Sequence, residues 1–414
     1  YEYFPWTGRY VRTLDKPFFK MTGRFHKSWG DFGGLRTEES LLFDCYNAVA
    51  NGATCSIGDH MHPRGKLDEE VYKLIGRVYS KIEKLEPWTY GSQPVAEIAV
   101  LHPATALFPA FFPPDARRTL PAATRMLMEL KYLFDVIDGE SSLSKYRVII
   151  IPEEVFIGAK LKKKLKQHLE KGGFIISAGT GGLDEKQEKF ALEEYNLLYL
   201  GPEEHNPSFF KAGLKVCEGL PDMLTTVYEK GVAVQAKKGA EVLCNLYQPY
   251  FNVGHWDMRH WHRYAPPEKD TGRPALTKSG NIFHFSFSLF RGYYNHAVVA
   301  YRQLLSNCLK MALPDPLITT KNAPSYVQVT LTTKDKKQSV HILSYLPEKR
   351  GERMEIIEAP ICIKDITIGL RKDRKKITKV YLAPCGREIE FRDDGMYVWV
   401  DIPEVIGYQM VVFE

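Results

Sequence analysis

The sequence predicts a multidomain α/β chain: the C-terminal part of a (β/α)8 barrel, then a doubly wound parallel sheet, then a small β-sandwich. Three observations predict it. Two short strand-like runs near the start each lead into a loop crowded with Trp, His, Arg and Asp, and then into a helical pattern. Between Val95 and Ser177, unbroken apolar runs alternate with helical ones, as strands buried on both faces require. Beyond Pro314-Asp-Pro316, short runs of alternating apolar and polar residues, separated by Gly, Asp and Lys turns, replace the helical pattern.

Composition narrows the function classes. A chain of 414 residues exceeds what one hydrophobic core supports, and 44% hydrophobic, 12% aromatic and 26% charged residues describe an ordinary globular protein. The net charge of +6 is mild, and the densest basic stretch, Lys160–Lys171, carries Leu161, Leu165 and Leu169 at helical spacing. It reads as the solvated face of a helix, so no nucleic-acid partner is expected. No apolar run has the roughly 18 residues of a membrane helix and no signal peptide is read, so no membrane partner is expected. Seven cysteines, an odd number without CxxC or other ligand spacing, point to free thiols in a reducing, cytoplasmic compartment, with neither metal nor cofactor.

Residues 1–90 read as an entry loop followed by strand, helix, strand and helix. Arg24, His26, Trp29 and Asp31 fall in the loop after the first strand; Asp59, His60, His62 and Arg64 fall in the loop after the second. Such loops, at the carboxyl ends of barrel strands, carry the chemistry. An aromatic plate suits the C–H face of a sugar, while His, Arg and carboxylates suit its hydroxyls. The plainer alternative makes Trp29 a core plug and the histidines solvated. Glu38–Val49 has helical spacing stopped by Asn51-Gly52, and Leu67–Leu85 is an amphipathic helix capped by Asp68. Two βα units cannot close a barrel, so the segment reads as its last quarter.

Residues 91–315 read as strands Val95–Leu101, Phe134–Ile137, Tyr146–Ile151 and Gly173–Ser177, with helices Arg118–Leu133 and Lys160–Glu170, and a final helix Asn295–Leu313. Gly179-Thr-Gly-Gly182 follows a strand but lacks phosphate-loop spacing, and Ile150-Ile-Pro-Glu-Glu154 offers no cysteine nucleophile, so this sheet reads as structural. His255, His260 and His262, with Trp256 and Trp261, lie in an aromatic stretch that reads as an interface loop or, through His-x-His, a metal site. Residues 316–414 read as the sandwich, with strands Tyr326–Thr332, Ser339–Leu346, Ile363–Leu370, Thr378–Leu382, Met396–Ile402 and Tyr408–Phe413.

Ser28-Trp-Gly30, the following helix, Asn51-Gly52, Cys55-Ser-Ile-Gly58, Pro63-Arg-Gly65 and Leu74-Ile-Gly76 together resemble the C-terminal part of the α-L-fucosidase family barrel. The remainder resembles the flavodoxin-like, class I amidotransferase-like trimerisation domain and the β-sandwich of β-galactosidases. The resemblance implies a retaining exo-glycosidase acting on terminal sugars of oligosaccharides, assembled as a homotrimer. β-Galactosidase-like hydrolysis, or a non-catalytic carbohydrate-binding or assembly role, are the alternatives. It implies substrate contacts at Arg24, His26, Trp29, Asp59 and His60, a nucleophilic Asp upstream of Tyr1, and Glu2 as candidate acid/base. Asp31 stands where the family has Tyr, and Asp59-His60 where it has Pro, which puts the sugar in question.

Overall fold

The computed structural model describes residues 1–102, 116–254, 265–373 and 376–414. It is a mixed α/β fold that clusters into two compact units: residues 1–96, 127–134 and 316–414 form the first, residues 97–126 and 135–315 the second. The aromatic stretch with His255, His260 and His262 lies outside the described residues.

In the first unit, α1 (Tyr3–Val11) replaces the expected entry loop. Two parallel strands follow, β1 (Phe19–Gly23) and β2 (Thr54–Gly58), paired from Phe19↔Thr54 to Gly23↔Gly58. They are joined by α2 (Glu38–Val49), and α3 (Glu69–Glu83) follows β2. The helix starts are written locally: the Thr37 hydroxyl accepts from the Ser40 amide, and the Asp68 carboxylate from the Glu70 and Val71 amides. Leu41, Leu42, Cys45 and Val49 meet Leu74, Val78 and Ile82, with Cys55 and Ile57 of β2 packed against them. Strand alternation therefore leaves Phe19 and Met21 on the other face, 63% and 54% exposed.

The C-terminal part of this unit is sandwich-like. Two of the expected strands are one: Tyr397–Phe413 runs unbroken, pairing first with Cys362–Arg371 and then with Lys337–Ser344. Gly407, at φ +71°, sits at the handover, where a Cβ would lie 2.5 Å from the Tyr345 hydroxyl. The glycine bends the strand instead of ending it. Tyr46 of α2 stacks on Tyr408 at 4.2 Å, and the Thr330 hydroxyl donates to the Ala50 carbonyl, which ties the βα layer to these strands.

The second unit holds a nine-stranded sheet. Its centre is parallel, in the order Ile282–Phe285, Phe174–Ala178, Val148–Ile151, Ile98–Leu101. Antiparallel strands Pro267–Ser279, Glu241–Pro249, Ser208–Ala212 and Thr225–Val227 extend one side. Ile98–Leu101 and Val148–Ile151 are buried at every position, which explains their unbroken apolar sequence. The expected helix Asn295–Leu313 is observed as Val299–Ala312, and a separate helix, Leu289–His296, precedes it and ends at Ala297 in the left-handed region.

Candidate functional site

The loops after β1 and β2 converge on one network. Arg24 is 2% exposed: its Nε donates to Asp59 Oδ1 at 2.9 Å, and its Nη1 to the carbonyls of Phe32 (2.9 Å) and Gly34 (3.1 Å). Its guanidinium also lies 4.3 Å from the Phe25 ring centroid. Arg24 therefore braces the first loop from beneath. Asp59 Oδ1 takes a second donor, the His60 amide, at 2.8 Å.

Above this brace lies Trp29, 51% exposed. Its indole covers the paired strand ends: a Cβ on Gly58 would lie 2.5 Å from the ring, and one on Gly23 would lie 3.5 Å from it. At Gly58 only a bare strand end leaves room for that seat, whereas at Gly23 the contact would be an ordinary one. Phe25 meets the indole edge-on at 5.2 Å, and the indole Nε1 donates to His60 Nδ1 at 3.0 Å. Asp31 folds back to accept from the Lys27 amide at 3.3 Å, and a Cβ on Gly34 would collide with its carboxylate. Of the residues singled out in the sequence, Arg24, Trp29, Asp59 and His60 share this network. His26 is half-buried outside it, and Glu2 is exposed at the N-cap position of α1.

A second cluster lies behind the seat, on the α2 side of β1. Asp44 accepts from Lys20 (2.6 Å), Arg36 (2.7 Å) and the Thr22 hydroxyl (2.7 Å). Burial works against the Asp44 carboxylate, but Lys20 and Arg36 hold it down at about 2; burial likewise lowers the Lys20 pKa. Sequence reasoning missed this cluster. Its one signal was an Asp inside the apolar stripe Leu41, Leu42, Cys45.

The strand ends of the second unit are closed by contrast. Glu153, two residues after Val148–Ile151, is 2% exposed, and its Oε1 accepts the Phe290 amide at 2.9 Å. Its Oε2 has no hydrogen-bond partner among the described residues. Burial pushes its carboxyl up to about 7, against the pull of Arg291 and nearby amides. A cavity of about 740 Å³ at the opposite strand ends is lined by Lys145, Arg147 and Lys164. Lys145 pairs with Asp135, Arg147 with Asp315, and Lys164 donates to three carbonyls, so these three cations are already engaged by the protein. Among the described residues, no group of three or more His, Cys, Asp or Glu is placed to hold a metal, and no helix is long and apolar enough to cross a membrane.

Residues 117–298 match the family model of the β-galactosidase trimerisation domain. A comparison of the sequence with curated proteins returns no match. Among solved structures, the chain is similar over 100% of its length to α-L-fucosidase isoenzyme 2 from Paenibacillus thiaminolyticus, with TM-score 0.92 and 29% identity, covering 63% of that chain. It is similar to a β-galactosidase from Bacillus circulans sp. alkalophilus (TM-score 0.68, 13% identity, 100% of this chain and 58% of that one). A β-galactosidase from Rahnella sp. R3 gives TM-score 0.65 and 14% identity over 99% of this chain and 57% of that one. The last two speak to the fold alone. The chain spans less than two thirds of the length of these relatives, and its structure is glycoside-hydrolase-like.

Proposed function

We propose that this chain is the downstream portion of a retaining, exo-acting glycoside hydrolase of α-L-fucosidase type, which removes terminal sugars from oligosaccharides. The observation that carries the reading is the Trp29 seat: an exposed indole laid over Gly23 and Gly58, with a histidine fixed at its nitrogen. An indole face takes the apolar side of a sugar ring while adjacent imidazole and carboxylate groups take its hydroxyls. The similarity to the fucosidase from Paenibacillus thiaminolyticus supports the choice of sugar.

In this reading residues 1–90 complete a (β/α)8 barrel, 91–315 form a doubly wound trimerisation domain, and 316–414 an accessory sandwich. Trp29, His26, His60 and Asp59 meet the sugar, and Arg24 holds Asp59 in place. A retaining reaction needs a nucleophile and an acid/base carboxyl about 5 Å apart. The nucleophile is assigned to an Asp upstream of Tyr1 and the acid/base to Glu2, and the assembly to a homotrimer in the cytoplasm. A β-galactosidase-like specificity is the second reading, favoured by the match of residues 117–298 to the trimerisation domain.

Hydrolysis of nitrophenyl α-L-fucoside and nitrophenyl β-D-galactoside, by protein made from the complete gene, tests the proposal. Release from the fucoside supports the first reading and release from the galactoside the second. If both glycosides stay intact, the hydrolase reading falls and a carbohydrate-binding or assembly role replaces it.

A further inference from the structure

The rim continues past Trp29 into a second cluster, of which the proposed sugar contacts use His60 alone. Phe32, 38% exposed, receives two imidazoles edge-on: His60 at 5.5 Å and His62 at 5.4 Å between ring centroids. Both rings have their Nδ1 engaged. His60 Nδ1 faces the Trp29 indole at 3.0 Å, and His62 Nδ1 faces the Arg64 amide at 3.1 Å.

An indole N–H and a peptide N–H can only donate. Each Nδ1 must therefore accept, and the proton of each neutral ring sits on Nε2. A metal bound at Nε2 would need the opposite tautomer, which neither donor permits. The pair is thus set for hydrogen-bond donation from Nε2–H, beside the aromatic surface of Phe32.

We infer that Phe32, His60 and His62 form a second sugar subsite, in which His60 Nε2–H donates to the oxygen that joins the sugar on Trp29 to the next unit and His62 Nε2–H donates to that next unit. The inference rests on the glycosidase reading and deepens it. Two fixed donors beside an aromatic ring match the hydroxyl and ether oxygens and the C–H face of a pyranose. His62 then serves as a specificity residue for the leaving sugar.

The test uses His62→Asn in protein from the complete gene. Asn keeps an acceptor for the Arg64 amide, and its own N–H groups stop short of the position that the imidazole Nε2–H reaches. The readout is kcat/KM for an α-L-fucosyl-(1→2)-galactose disaccharide divided by that for nitrophenyl α-L-fucoside, or the matching galactosyl pair if that is the sugar cleaved. The ratio is expected to fall about tenfold, the loss of one hydrogen bond to a bound sugar, with the nitrophenyl substrate unchanged. An unchanged ratio, or an equal fall on both substrates, overturns the subsite while leaving the hydrolase reading intact. Wild-type protein that cleaves neither substrate overturns both. Independently of turnover, imidazole 15N NMR is expected to show the Nε2–H form for His60 and His62; the Nδ1–H form overturns the inference by itself.

Discussion

Both units set bare glycines where parallel strands end, yet the vacated volume is used in opposite ways. At the paired ends of β1 and β2, Gly58 makes room for a half-exposed indole with its nitrogen tied to His60. In the second unit, a Cβ on Gly179 would lie 2.9 Å from the Glu153 side chain, and one on Gly182 would lie 2.3 Å from the Tyr195 hydroxyl. There the space is filled by groups 2% and 1% exposed. Glycine at a strand end marks close approach in both places. Whether that approach makes a site depends on whether the incoming group keeps a face in water.

The contrast breaks if the closed region is tolerant. Gly182→Ala puts a side chain at φ +97° and against Tyr195, so it is expected to destabilise the protein by about 3–5 kcal/mol, measured by urea unfolding. A loss under about 1 kcal/mol would mean the packing yields.

Glu153 gives the next largest effect. The unfolded carboxyl releases its proton near 4.5 and the folded one near 7, so across that window the unfolded state loses protons first. Its contribution to stability is full below pH 4.5 and is lost as pH rises through 7, by about 3 kcal/mol. Glu153→Gln is expected to flatten this slope in unfolding curves recorded between the two values. A slope that survives the substitution would assign it to another group.

At the open seat the effects move from stability to catalysis. Trp29→Ala is expected to lower kcat/KM for the cleaved glycoside by about a hundredfold through lost sugar contact, with the urea midpoint nearly unchanged. A matching loss of stability would make Trp29 a core plug. The smallest effect separates His60→Ala from His60→Asn. Asn keeps an acceptor for the indole, so its kcat/KM is expected to stay about threefold above that of the alanine variant. Equal values would show that the indole is held without its hydrogen bond.

Much of this was legible in the sequence, for identifiable reasons. The bounds of α2 follow from its periodicity and from Asn51-Gly52, and the start of α3 from Asp68. The helix α1 was hidden because Pro5 and Gly8 break its pattern. Gly8 fits there because a Cβ would lie 2.8 Å from the Phe4 ring, a packing reason invisible in propensity. Ala297 ends a helix in a left-handed conformation with no Gly or Pro to announce it. At the rim, residue types announced an aromatic and polar site, and the structure brings Arg24, Trp29, Asp59 and His60 together. The burial of Arg24 could not be read, because its carbonyl partners carry no side-chain signature. The Lys20–Asp44–Arg36 cluster escaped for a different reason: its members lie on three separate segments.

The most direct measurement is a crystal structure of the complete-gene protein with an iminosugar mimic of the sugar it cleaves. The account predicts the ring lying with its C–H face on the Trp29 indole, above Gly23 and Gly58, with His60 Nε2 within hydrogen-bond reach of a ring substituent. An iminosugar bound with Trp29 uncovered would contradict it.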